Sequence, residues 1–166
     1  HWTFSAPPVL SADGTNVLLE NLVSIAPFQW EAVSDGSYNV KGNWTVAVPD
    51  SMGAEANFLG KITTDSVVTV EAPVTVGAIN FDNANSYTVV GPAAITLESL
   101  TGVAEINVRE GAHAITAPLV VPGQLAINAE AGTNLSIAPA MPQLVSGDLA
   151  KSGTGAVAIG SSVLLT

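Results

Sequence analysis

Proline-marked corners recur at an interval of roughly twenty residues in the second half of this chain, and that period constrains the fold more than any other feature. Short apolar runs end at Ala72-Pro73, Ala117-Pro118 and Ala138-Pro139, with Gly91-Pro92 between the first two, so the prolines step by 19, 26 and 21 residues. Ile106-Asn107-Val108 and Ile127-Asn128-Ala129 lie 21 apart, as do Gly111 and Gly132. A repeat of this length is one coil of a solenoid, which buries its apolar side only by stacking on its neighbours. Proline has no N–H to give to a ladder, so one proline per coil belongs at a corner between faces.

The residues between corners read as strands. From Lys61 onward the chain alternates with period two in Val67–Val70, Ala78–Phe81, Tyr87–Val90, Ile95–Leu97, Glu105–Val108, Ala114–Thr116, Leu125–Asn128 and Leu135–Ile137. These runs are shorter than usual sandwich strands, and the region has no Asn-Gly or Asp-Gly hairpin signal. The reading is therefore all-β, a parallel β-helix forming one domain over residues 1–166. Residues 1–60 form an aromatic-rich N-terminal cap and first coils, and residues 61–166 the repetitive coils. All three Trp and three of the four Phe (Phe4, Phe28, Phe58) fall in the first part.

Stacking the coils predicts columns. Ile79, Ile95, Ile106, Ile127 and Leu149 are expected to face inward. Beside them Asn80, Thr96, Asn107, Asn128 and Ala150 would face outward, followed by Asp82, Glu98, Arg109, Glu130 and Ser152. Coils lie about 4.8 Å apart, so each outward column is a polar ladder on a flat sheet. In the last of them Arg109 is expected to separate Glu98 from Glu130.

Two stretches carry a resemblance. Gly147-Asp148-Leu149-Ala150-Lys151-Ser152-Gly153-Thr154-Gly155, running into Ala156–Gly160, resembles the autotransporter-associated β-strand repeat of exported bacterial proteins. Trp30, Asp35-Gly36, Gly42-Asn43-Trp44, Pro49 and Ala56-Asn57-Phe58 resemble the tryptophan-rich opening that precedes such repeats, and Val76–Thr88 resembles the segment next to that opening. The match spans about residues 30–160 and departs in the short Trp44–Pro49 interval and over residues 1–29. It implies a right-handed parallel β-helix capped by the aromatic segment, secreted or at the cell surface, and appended to other domains in a larger protein. Modules of this kind occur in passengers and adhesins and beside polysaccharide-degrading domains, and some bind plant cell-wall glycans such as xylan.

Charge narrows the partners. Fourteen acids face four bases, giving a formal net charge of -10, so the chain cannot neutralise a row of phosphates. Nucleic acid and anionic membrane surfaces are poor partners, and no apolar stretch approaches the roughly 20 residues of a membrane span. There is no cysteine and hence no disulfide framework or thiolate metal site. Neither end reads as a signal peptide, so the chain is expected to be a segment of a longer precursor.

The expected function is a non-catalytic carbohydrate-binding module for a neutral plant polysaccharide, with xylan as one candidate; the alternative is a structural or adhesin-like passenger segment without a small-molecule site. Two surfaces could hold sugar. Trp30, Tyr38, Trp44 and Tyr87 could offer ring faces to sugar C–H groups, or could cap the open end of the helix. Asn80, Asn107, Asn128, Glu105 and Arg109, with Asp82 beside them, could hydrogen-bond an extended hydroxyl-rich chain, or could simply be a stabilising ladder. Catalysis is not expected: His113 is read as a rung-edge histidine at a turn, no Gly-x-Ser-x-Gly elbow accompanies it, and the Asp82, Glu98 and Glu130 column is read as a solvated face. No cofactor or metal is expected, and the oxygen-rich Asp82-Asn83-Ala84-Asn85 and Asp13-Gly14-Thr15-Asn16 are read as turns.

Overall fold

The computed structural model describes residues 27–138 and 148–160 with their side chains. Trp2, Phe4, the Asp13–Asn16 turn, Pro139 and Gly147 lie outside the described residues. Over the two described stretches the strands are β1 (Gly36–Ser37), β2 (Glu55–Phe58), β3 (Ser66–Thr69), β4 (Val74–Val76), β5 (Ala78–Asp82), β6 (Tyr87–Val90) and β7 (Ile95–Leu97). They continue as β8 (Val103–Glu110), β9 (Ala112–Ile115), β10 (Leu119–Val120), β11 (Gln124–Ala129), β12 (Asn134–Ile137), β13 (Leu149–Ser152) and β14 (Ala156–Ile159).

These strands form a parallel β-solenoid with three faces. The first face stacks β2, β5, β8, β11 and β13, the second β1, β3, β6, β9, β12 and β14, and the third β4, β7 and β10. Every pairing between these strands is parallel, which is what a chain visiting each face once per coil must produce. The expected β-helix is thus the observed fold. Pro73, Pro92 and Pro118 each stand between a second-face and a third-face strand, at the corner where no ladder donor is needed. The corners are tight. Gly91 has φ +148, and a Cβ there would sit 2.1 Å from the Val70 carbonyl oxygen one coil earlier, so the chain crossing admits only glycine.

The interior is a set of apolar columns. On the first face Ala56, Ile79, Ile106 and Ile127 stack in register, and Phe58, Phe81, Val108 and Ala129 stack beside them. The second face contributes Val68, Val89, Ile115 and Ile137, with Ile159 in register beyond them but exposed, and the third Val74, Ile95 and Leu119. Ile95 therefore belongs to a different face from Ile79 and Ile106. Leu149 stacks on Leu125, two residues from the expected Ile127, whose partner is Lys151. A slip of two residues keeps every side chain on its own face, so the alternation in the sequence is blind to it.

At the N-terminal end the aromatics close the core. Trp30 N–H donates to the Asn57 carbonyl and Asn57 N–H to the Phe28 carbonyl, so residues 28–30 lie as one more rung above β2. Trp44 meets Trp30 edge to face at 5.2 Å between centroids, Tyr38 at 4.8 Å and Phe58 at 5.5 Å. Its indole N–H donates to the Tyr38 carbonyl at 2.7 Å, and the Tyr38 hydroxyl donates to the Pro49 carbonyl at 2.9 Å. Apolar rings thus cover the open coil while the polar atoms of Trp44 and Tyr38 are satisfied internally.

Candidate binding face and the fate of the aromatics

The four aromatic residues read as a sugar platform are inside the protein. Trp30, Tyr38, Trp44 and Tyr87 are 0%, 1%, 4% and 0% exposed. A ring offers a sugar its face only if that face meets water, and these faces meet one another and Phe58. The platform is not formed; of the two roles open to Trp30, Tyr38 and Trp44, they take the cap. Tyr87 lies in the interior column of the second face and donates its hydroxyl to the Leu59 carbonyl at 2.7 Å, and burial pushes its phenol up to about 12. Burial, with Asp50 adding to it, pushes the Tyr38 phenol higher still.

The polar ladder does form, with partly different members. On the outer side of the first face Asn57, Asn80, Asn107, Asn128 and Ser152 stand in one register column, each a coil apart. Asn80 Nδ2 donates to Asn57 Oδ1 at 2.9 Å, and Asn107 Nδ2 donates to Asn80 Oδ1 at 2.9 Å. Asn107 also donates to the Glu105 carboxylate at 3.1 Å, and Ser152 Oγ to Asn128 Oδ1 at 3.2 Å. Asn57, at the top of this column, is absent from the residues expected there, although Ala56-Asn57-Phe58 repeats the apolar-Asn-apolar triplet of residues 79–81, 106–108 and 127–129. Thr96, expected in the column, is on the third face. Ala150 lies one column over, on Ala126.

The charged column departs further. A bulge between Val108 and Glu110 shifts the register, so Glu110 and not Arg109 stands across from Asp82. Glu98 follows β7 on the third face and does not stack with Asp82, and Ser152 sits in the asparagine column. Arg109 is exposed on the bulge and Glu105 is exposed beside Asn107, while Asp82, Asn107 and Asn128 are half-buried. Next to the ladder, Glu55, Ala78, Glu105, Ala126 and Ala150 form a second outward column, in which two carboxylates stand two coils apart with alanine between them. The outcome is a flat amide-rich strip bordered by acid, able to exchange hydrogen bonds with hydroxyls but without a described ring to stack on.

Removing Asn80 tests how much this ladder stabilises. Asn80 is 7% exposed and bonded on both sides, so Asn80→Ala strands the buried Asn57 acceptor and removes one of the two acceptors of Asn107. The expected loss is about 1–3 kcal/mol in urea unfolding, against a few tenths for an exposed surface change such as Arg109→Ala.

The remaining candidate groups are structural in this geometry. Asn83 is 5% exposed; its Nδ2 donates to the Leu59 and Ile62 carbonyls, and its Oδ1 accepts the Asn85 N–H at 2.8 Å, which makes Asp82–Asn85 the expected turn. His113 is not at a rung edge but 3% exposed in the interior, in the same column as Tyr87 and Leu135. Among the described residues no three His, Asp or Glu side chains converge as a metal site, and no helix is long and apolar enough to cross a membrane. No protein-family model, curated protein or solved structure matches the chain.

Proposed function

We propose that the chain is a non-catalytic structural segment of an exported bacterial surface protein, a rigid β-solenoid rod that spaces or displays the parts joined to it. The observation that supports this reading is where the rings lie. Of the seven described aromatics, only Phe28 keeps partial exposure; the other six fill the cap and the first coils. A sugar-stacking module needs at least one flat ring in water. A scaffold needs a closed end and a continuous core, and the aromatics supply both. The resemblance to passenger-type repeats points the same way.

A second reading rests on one specific observation, the amide column in which Asn107 and Asn128 keep partial exposure below the buried Asn80, with Glu105 and Arg109 exposed beside it. Such a strip suits a neutral polysaccharide lying across the coils, xylan among them. Affinity electrophoresis of the purified chain through xylan, glucomannan, β-glucan and pectin separates the two. A rod is expected to migrate as in a blank gel on all four. Retardation on any of them that Glu105→Ala with Arg109→Ala abolishes, at unchanged melting temperature, would replace the rod by the binding module. Release of reducing ends or unsaturated products by the purified protein would overturn both.

A further inference from the structure

The seam between β6 and β9 is closed by an imidazole. β6 pairs with β3 along all four of its residues, beginning at Tyr87 with Ser66. Its pairing with β9 begins one residue later, with Thr88 opposite Ala114 and Val89 opposite Ile115. At the vacated first position the Tyr87 N–H donates to His113 Nδ1 at 3.1 Å. The other ring nitrogen, Nε2, is 2.7 Å from the Glu110 carbonyl oxygen. A carbonyl only accepts and a backbone N–H only donates, so Nε2 carries the proton and Nδ1 a lone pair. The two contacts together fix one neutral tautomer.

The ring has nowhere to turn. It stacks on Phe81 at 4.6 Å and 11° between planes, and lies 6.0 Å from the Tyr87 ring. The turn that carries it is pressed on the previous coil: Gly111 has φ +84, and a Cβ there would stand 2.0 Å from the Asn83 carbonyl oxygen. Its column neighbour in the next coil is Leu135. The titratable groups around it are the Tyr87 phenol, which stays neutral, Glu110, whose carbonyl holds Nε2, and Asp65 from the segment before β3. Phe81 and Leu135 add no charge.

We propose that His113 is an acid-sensitive latch between these two coils. A proton on Nδ1 sets an N–H against the Tyr87 N–H, removes the acceptor that this amide uses and places a cation against buried rings, so the seam opens there. Desolvation lowers the His113 pKa, with the Glu110 carbonyl and the charge of Asp65 opposing. The unfolded chain takes up the proton first, at about pH 6.5, so the latch stabilises fully above that value and is lost as pH falls from it toward the lower folded value. In that window the cap-bearing coils lose their hold on the later coils.

The test compares wild type with His113→Gln, which keeps a polar amide but does not titrate, by urea unfolding between pH 8 and pH 5. The wild-type unfolding constant is expected to gain up to about tenfold per pH unit below 6.5 relative to the variant. On wild type alone, ¹⁵N spectra of the ring are expected to give the Nε2–H tautomer at pH 7.5, and the Tyr87 and Thr88 amides to lose exchange protection as Nδ1 takes its proton. Parallel pH curves for the two proteins would overturn the latch. So would a charged or Nδ1–H ring at pH 7.5, or unchanged Tyr87 protection and an unprotonated Nδ1 down to pH 5; these wild-type readouts stand even if the glutamine variant does not fold.

Discussion

Trp44→Ala is expected to lower the unfolding free energy by about 3–5 kcal/mol, among the largest single losses available in this chain. Trp44 is 4% exposed and touches Trp30, Tyr38 and Phe58, so its removal leaves a cavity bounded by three rings. It also strands the Tyr38 carbonyl that its indole N–H satisfies. A solenoid holds its coils mainly through nearest neighbours, so an opened cap lets the first coils fray before the later ones. Thermal and urea melts of the variant should therefore broaden as well as shift. Trp44→Phe retains most of the ring area and loses only the hydrogen bond, and about 1–2 kcal/mol is expected there. A Trp44→Ala melt within about 1 kcal/mol of wild type would mean that the indole does not close the core.

The architecture is legible in the sequence because its two governing periods are both written there. Alternation of two sets which side chains point inward, and the proline-marked period near twenty sets the coil, so fold class and corner positions follow from the residues. Register is not legible to the same degree. Adjacent coils differ in length: the asparagine column advances by 23, 27, 21 and 24 residues from Asn57 to Ser152. Ile95-Thr96-Leu97 has the same apolar-polar-apolar form as a first-face triplet, and nothing local tells the faces apart, so alternation alone puts Ile95 and Thr96 on the wrong one. The bulge at Arg109 is a backbone event that no residue within it announces, and it moves Arg109 away from Asp82, while Glu98 and Ser152 leave the charged column through differences of face and register. For the aromatics, position along the chain argues for a cap and ring chemistry for a platform; burial decides in favour of the cap for Trp30, Tyr38 and Trp44, and places Tyr87 in the core.

Phe81→Ala should match the Trp44 loss in size, about 3–5 kcal/mol, and should add a change in pH dependence. Phe81 is fully buried between Phe58, stacked at 5.4 Å, and His113, stacked at 4.6 Å, so it links the cap cluster to the imidazole. Deleting it removes the ring that covers one face of the His113 imidazole. Hydration there relieves the desolvation that lowers the histidine pKa, and the folded and unfolded values approach each other. The variant should thus be less stable at every pH, yet lose less further stability between pH 7.5 and pH 5 than wild type does. Phe81→Leu, which fills more of the space, should fall between the two in both respects. Because the two side chains touch, Phe81→Ala combined with His113→Gln should be non-additive above pH 6.5, with a coupling of about 0.5–3 kcal/mol. Additivity in that double-mutant cycle, together with a pH slope in Phe81→Ala equal to that of wild type, would place the control of the His113 proton somewhere other than the aromatic stack.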